Sequence, residues 1–146
     1  MYQYDTSIIM RISKLFGNNL KFLRKAAGIA TRGNYFSQQE IAKFIGVSRK
    51  TIVFWESGHI PSDAMLKRIC EFFSRRLGLD EPFSPEELLE KDVSKYFVII
   101  PERSEVKKVT PSQKKMLDNI FARAVSISEK DLEKVLKLLD KLSDKF

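Results

Sequence analysis

Apolar positions along the first half of the chain recur at three- and four-residue steps. Phe16, Leu20, Leu23 and Ala27 form one stripe, and Ile41, Ala42 and Ile45 a second. Ile52 and Trp55 make a third, and Leu66, Ile69, Cys70 and Phe73 a fourth. Such spacing predicts amphipathic helices. They are expected from Ser7 or Ser13 to Ala27, then over residues 37–45, 48–57 and 62–77, with a short fifth over 85–91. The starts are marked chemically. Ser37 with Glu40, Ser84 with Glu87 and Thr110 with Gln113 fit capping boxes, in which two side chains satisfy backbone N–H groups reciprocally. Pro85 and Pro111 follow two of these caps, at the first helical position, where no N–H is needed. Ser48, Ser62 and Ser128 are simpler N-caps. Gly28, Gly46, Gly58 and Gly78 are expected to be helix stops.

The pattern then changes. Tyr96, Phe97, Val98, Ile99 and Ile100 make a β-prone run that stops at Pro101. Residues 105–109 can pair with it as a hairpin; an extended arm on a second subunit is the alternative. Two amphipathic helices are expected afterwards. Residues 110–125 carry Met116, Leu117, Ile120, Phe121 and Ala124. Residues 128–145 carry Leu132, Val135, Leu139 and Leu142, with Phe146 next on the same seam, a coiled-coil-like spacing widened by Leu136 and Leu138. The fold class expected is therefore mainly α. It has a five-helix domain over 1–92, then a short β-prone segment and a two-helix dimerisation region within 93–146.

Charge sharpens this division. The 146 residues carry a formal net charge of +7. Residues 1–80 hold 13 Lys/Arg against 6 Asp/Glu, whereas residues 81–146 hold 13 of each. The whole excess lies in the half with the closely spaced short helices, as expected if that half faces a polyanion. One cysteine and one histidine cannot build a Cys/His metal site, so no metal or cofactor is expected. No apolar run is long enough for a membrane span, and the N-terminus lacks the signal-peptide pattern, so a cytoplasmic location is expected. No paired carboxylates, Ser/Cys–His pair, P-loop or zinc motif points to an enzyme.

The chemistry concentrates in Ser37-Gln38-Gln39-Glu40-Ile41-Ala42, Gly46-Val47-Ser48-Arg49-Lys50-Thr51-Ile52 and Trp55-Glu56-Ser57-Gly58. Two short helices joined by a glycine turn read as a helix-turn-helix, whose second helix enters the DNA major groove. Ser48, Arg49 and Lys50 stand at the start of that second helix, where the dipole and free N–H groups favour anions. Arg can fork onto guanine O6 and N7, and Lys can donate to the same edge. Val53 and Phe54 lie one turn further along the outward face, where apolar groups could touch thymine methyls. Packing of Phe54 on the inserted residue 29–36 segment is the alternative.

With Gly17-Asn18-Asn19-Leu20-Lys21-Phe22-Leu23-Arg24 before these motifs and Pro61-Ser62 after them, residues 15–79 resemble the lambda-repressor-like DNA-binding domain of the Cro/CI (XRE) family. The resemblance implies that Gln38 holds a phosphate and braces the recognition helix. It implies that Ser57, Gly58, His59 and Ile60 form a loop meeting phosphate, and that Arg24 pairs with Glu56. Cys70 takes a small inward position, as inert core. The chain departs from the family in residues 29–36, an added stretch before the second helix. There Arg32 could add a phosphate contact beside Tyr35; a tolerated surface insertion, with Phe22 packing on Phe36, is the alternative. The function implied is a sequence-specific, double-stranded DNA-binding transcription regulator, a repressor acting as a homodimer on a palindromic operator. Its dimer interface is expected at Leu132, Val135, Leu139 and Leu142. The alternative function is an antitoxin or adaptor that binds a protein partner through its C-terminal helices and uses DNA binding for autoregulation.

Overall fold

The computed structural model describes residues 6–123 and 129–143, and their side chains except those of Phe121, Arg123, Glu129, Lys130, Leu132, Leu139, Leu142 and Ser143. It clusters into two units, Met1–Lys108 and Val109–Phe146.

The first unit is built on one long helix, α1 (Thr6–Arg32). Three helices of the expected lengths follow: α2 (Gln38–Ile45), α3 (Arg49–Glu56) and α4 (Asp63–Arg76). The short α5 (Pro85–Glu90) is the last α-helix of this unit, followed by 3-10 turns at Val93–Tyr96 and Pro101–Arg103. The predicted stripes meet in one core. Phe16, Leu20 and Leu23 from α1 join Ile41 and Ile45, Ile52, Leu66, Ile69 and Phe73, all at or below 2% exposure. Burial of this order for a large aliphatic or aromatic side chain contributes roughly 1.5–3 kcal/mol each. The capping boxes at Ser37 and Ser84 form with both reciprocal bonds, and Ser48 and Ser62 cap as expected.

Gly28 corrects the sequence reading. It does not end α1, which continues for another turn; Gly33, at φ 79°, ends it instead. Gly28 is buried inside the helix because the returning chain passes across it. A Cβ there would overlap Asn34 O and Phe36 N. The added segment is thus half helix and half tight return, not a loop throughout. Nor does Phe22 pair with Phe36: Phe22 tilts against Phe97 at 6.3 Å, and Phe36 meets the edge of Phe44 at 5.3 Å.

The β-prone run is a hairpin. Strand β1 (Phe97–Ile100) pairs antiparallel with β2 (Glu105–Lys108), Phe97 opposite Lys108 and Ile100 opposite Glu105. Phe97 enters the same core as α1, meeting Phe83 at 5.9 Å. Asn19, 1% exposed, fastens α5 and the segment leading to the hairpin to α1. Its amide donates to Leu88 O and Lys91 O at 2.8 and 2.7 Å, and its oxygen accepts from Val93 N at 3.0 Å. The compact unit therefore runs on past Asp92.

The second unit contains α6 (Pro111–Arg123) and α7 (Glu129–Ser143). Thr110 and Gln113 form the expected capping box, with bonds of 2.9 and 3.2 Å. Leu117 and Leu136 are buried, whereas Met116, Ile120 and Leu138 are exposed. Of the expected seam, Val135 is half-buried. The side chains of Leu132, Leu139 and Leu142 lie outside the described residues, as do Ser128 and Phe146.

Candidate nucleic-acid interface

At the start of α3, Ser48 holds extended backbone and its hydroxyl accepts from Thr51 N at 3.2 Å. The helix has to bury Ile52, Trp55 and Glu56, at 0, 7 and 4% exposure. Helical periodicity then turns Arg49, Lys50, Val53 and Phe54 outward. All four are exposed, Val53 by 39% and Phe54 by 47%. Ser48 is exposed beside them. The five residues expected to meet bases thus share one surface, two cations at the electropositive helix end and two apolar groups behind them.

Phe54 does not pack on the residue 29–36 segment. Its ring meets His59 edge-on at 5.3 Å, and Lys50 Nζ lies 5.8 Å from its centroid. Lys50, Phe54 and His59 therefore form a row along the outer side of α3 and the turn after it. In that turn the backbone is occupied. Ser57 N, Gly58 N and His59 N donate to Val53 O, Trp55 O and Phe54 O, each at 3.0 Å. Ser57 Oγ also donates to Phe54 O at 2.8 Å. The His59 side chain is exposed beside this turn.

Behind the surface lies a polar network centred on Glu56. Arg24 forks onto it, Nε to Oε2 at 2.8 Å and Nη2 to Oε1 at 3.1 Å. Gln38 Nε2 donates to Oε1 at 3.1 Å, and Arg49 Nη2 donates to Gln38 Oε1 at 3.5 Å. The chain of contacts fixes which way the Gln38 amide points. Its NH2 retains a second N–H for an outside acceptor. Gly17 lets α1 come this close, since a Cβ there would overlap Glu56 O. The pairing of Arg24 with Glu56 is as the family resemblance implied.

Arg32 sits apart from the α3 surface. Its guanidinium is taken up by Glu40, through both carboxylate oxygens, and by Asn34 O and Tyr35 O. The Arg32 guanidinium, more than any other group, holds the Glu40 carboxyl down to about 2, helped by the Ser37 backbone N–H. Sequence patterning missed this fork, because its partners are eight residues apart across a turn. It missed Asn19 too, whose partners lie about 70 positions on.

Cys70 is buried, and burial, followed by the charges of Glu87 and Glu86, pushes its thiol up to about 12. A thiol this far from ionisation is a poor nucleophile. Among the described residues no group of His, Cys, Asp and Glu could hold a metal ion, and no helix is long and apolar enough to cross a membrane.

Neither the curated proteins nor the solved structures gave a match to the chain. A family model described as Helix-turn-helix matches residues 34–79, from the return before α2 to just beyond α4. It is a DNA-binding regulatory family, not an enzyme family. α1 and everything after Leu79 lie outside the match. With its caps, glycine turn and outward basic start of α3, the segment 34–79 is similar to the helix-turn-helix family of Cro/CI (XRE) type, a DNA-binding regulatory family.

Proposed function

We propose that the protein is a sequence-specific repressor that binds a palindromic operator as a homodimer. The observation that carries the reading is the start of α3, where exposed Arg49 and Lys50 stand beside a Gln38 held in place by Glu56. Arg49 and Lys50 read guanine edges, with Ser48 beside them. Val53 and Phe54 meet thymine methyls. Gln38 uses its second amide N–H on a phosphate, His59 its imidazole, and Ser57 its hydroxyl once released from Phe54 O. One module of this kind reads few base pairs, so a two-fold operator supplies the rest of the affinity. A cytoplasmic location suits this task.

The second unit supplies the pairing surface, through Leu132, Val135, Leu139 and Leu142. Its short helices leave Met116, Ile120 and Leu138 exposed, which supports an encounter with another chain. A second copy is the simplest partner. A different protein bound there would instead make the chain an antitoxin or adaptor. Selection of fragments from random duplex DNA tests the reading: a two-fold symmetric site should be enriched. Sedimentation tests the pairing: Leu139→Asp should convert dimer to monomer while the first unit stays folded. Failure to enrich any sequence would overturn the repressor reading, and a Leu139→Asp dimer at micromolar concentration would move the interface elsewhere.

A further inference from the structure

The end of α1 and the start of α2 are held by one side chain. Arg32 Nε donates to Asn34 O at 3.4 Å, and Nη2 donates to Tyr35 O and Glu40 Oε1, both at 2.8 Å. Nη1 donates to Glu40 Oε2, and the guanidinium lies over the Phe36 ring, 4.7 Å from its centroid. Glu40 in turn accepts Ser37 N at 3.1 Å, while Ser37 Oγ accepts Glu40 N at 3.1 Å. Arg32 thus engages the return, the cap and the first turn of α2. Its donors are used four times, and the paired N–H edge that would fork onto a phosphate is already filled by a carboxylate. A phosphate would have to displace that carboxylate against its negative charge.

The other side of the same return is held by Arg24, whose Nη1 donates to Phe36 O at 2.8 Å. Consecutive carbonyls, of Tyr35 and Phe36, are therefore taken by two arginines of α1. Each arginine also forks onto a glutamate of the helix-turn-helix. Gln38 follows directly, and its place between Glu56 and Arg49 depends on where this return sets the first turn of α2.

We propose that Arg32 is a positioning residue for DNA binding and not a phosphate ligand. It acts through Glu40 and the Asn34 and Tyr35 carbonyls to hold the first turn of α2, and with it Gln38, at the working distance from α3. The inference rests on the DNA-binding reading above for its consequence, and on the free protein for its cause.

Two measurements on the full chain decide it. In the absence of DNA, Arg32→Ala should speed amide exchange about tenfold or more over residues 36–41 and leave α4 unchanged. Unchanged exchange at 36–41 would overturn the inference whether or not the protein binds DNA. On a selected duplex, Arg32→Ala should weaken binding about fivefold with the same salt slope. Arg32→Lys should weaken it equally, because a point charge cannot reproduce the fork. In a Glu40→Gln background, where the capping bonds can persist, Arg32→Ala should have little further effect. A phosphate ligand behaves differently: Arg32→Ala lowers the salt slope by about one and Arg32→Lys retains affinity. Either of those results, or additive losses in the double variant, would overturn the inference. A wild-type chain that binds no duplex would sink the DNA-binding reading instead, with the exchange measurement still deciding the clamp.

Discussion

Two forks of the same chemistry tie α1 to the helix-turn-helix, and they differ mainly in water. Arg24 meets Glu56 in α3 with side chains 15% and 2% exposed. Arg32 meets Glu40 in α2 with side chains 41% and 36% exposed. Each arginine also holds the return between the helices, Arg24 at Phe36 O and Arg32 at Asn34 O and Tyr35 O. The inner fork has been taken out of water, so losing one partner strands a desolvated charge. The outer fork keeps its solvent, so water and salt can replace either partner cheaply. The contrast separates two duties. The inner pair helps hold the fold together; the outer pair sets local geometry with little effect on global stability.

The largest expected effect follows from the inner pair. Glu56→Ala leaves the Arg24 guanidinium without its carboxylate and Gln38 without its acceptor. It should cost about 3–5 kcal/mol in urea unfolding, the range for a broken buried pair. Glu40→Ala should shift the same transition far less. Equal losses at the two glutamates would break the distinction between them.

Gly28 offers a way to strain the return without touching either fork. An added methyl meets the backbone at Asn34 and Phe36, which cannot rotate aside as a side chain could. Gly28→Ala should cost about 1–3 kcal/mol, as for an overfilled interior. The carbonyls it displaces are those near which both arginines act. It should therefore raise amide exchange at 36–41, as Arg32→Ala does, and a variant with native exchange there would uncouple the return from α2.

On DNA, the two networks should differ in kind. The inner one ends at Arg49, which reaches bases in the proposed complex. Arg49→Ala should cost about 1–3 kcal/mol on the selected site and relax the preference at one position. Arg32→Ala should weaken cognate and scrambled duplexes by the same factor. Competition binding against both duplexes checks this. A base preference that changes with Arg32 and not with Arg49 would reverse the assignment.

What the sequence disclosed divides along a similar line, between near and far. Caps at Ser37, Ser48, Ser62, Ser84 and Thr110 were legible because each closes on a backbone group three residues on. The outward face of α3 was legible because Ile52 and Trp55 leave their neighbours only one direction. Gly28 was misread because a glycine that ends a helix and one that lets a chain cross it look alike in sequence. Asn19 gave no signal, since its role depends on carbonyls brought to it by packing. In the second unit the apolar stripe of α7 was plain, yet a stripe states only that something covers it.

The smallest effect expected is the one most specific to the outer fork. The Glu40 carboxyl is held at about 2, against an ordinary value of 4.5, chiefly by Arg32. A carboxyl depressed in this way favours the folded state fully above its unfolded value. That contribution is lost as pH falls from about 4.5 toward 2, as the folded carboxyl also takes up its proton. Glu40→Gln has no proton to gain at this site, so its stability should fall less steeply through this window while matching the wild-type slope nearer neutrality. Because both partners face solvent, the difference should shrink in high salt. Thermal unfolding of wild type and variant across the acid range, at low and high salt, measures it. Parallel curves at low salt would mean that Glu40 titrates as an ordinary surface carboxyl and that the outer fork is already open in solution.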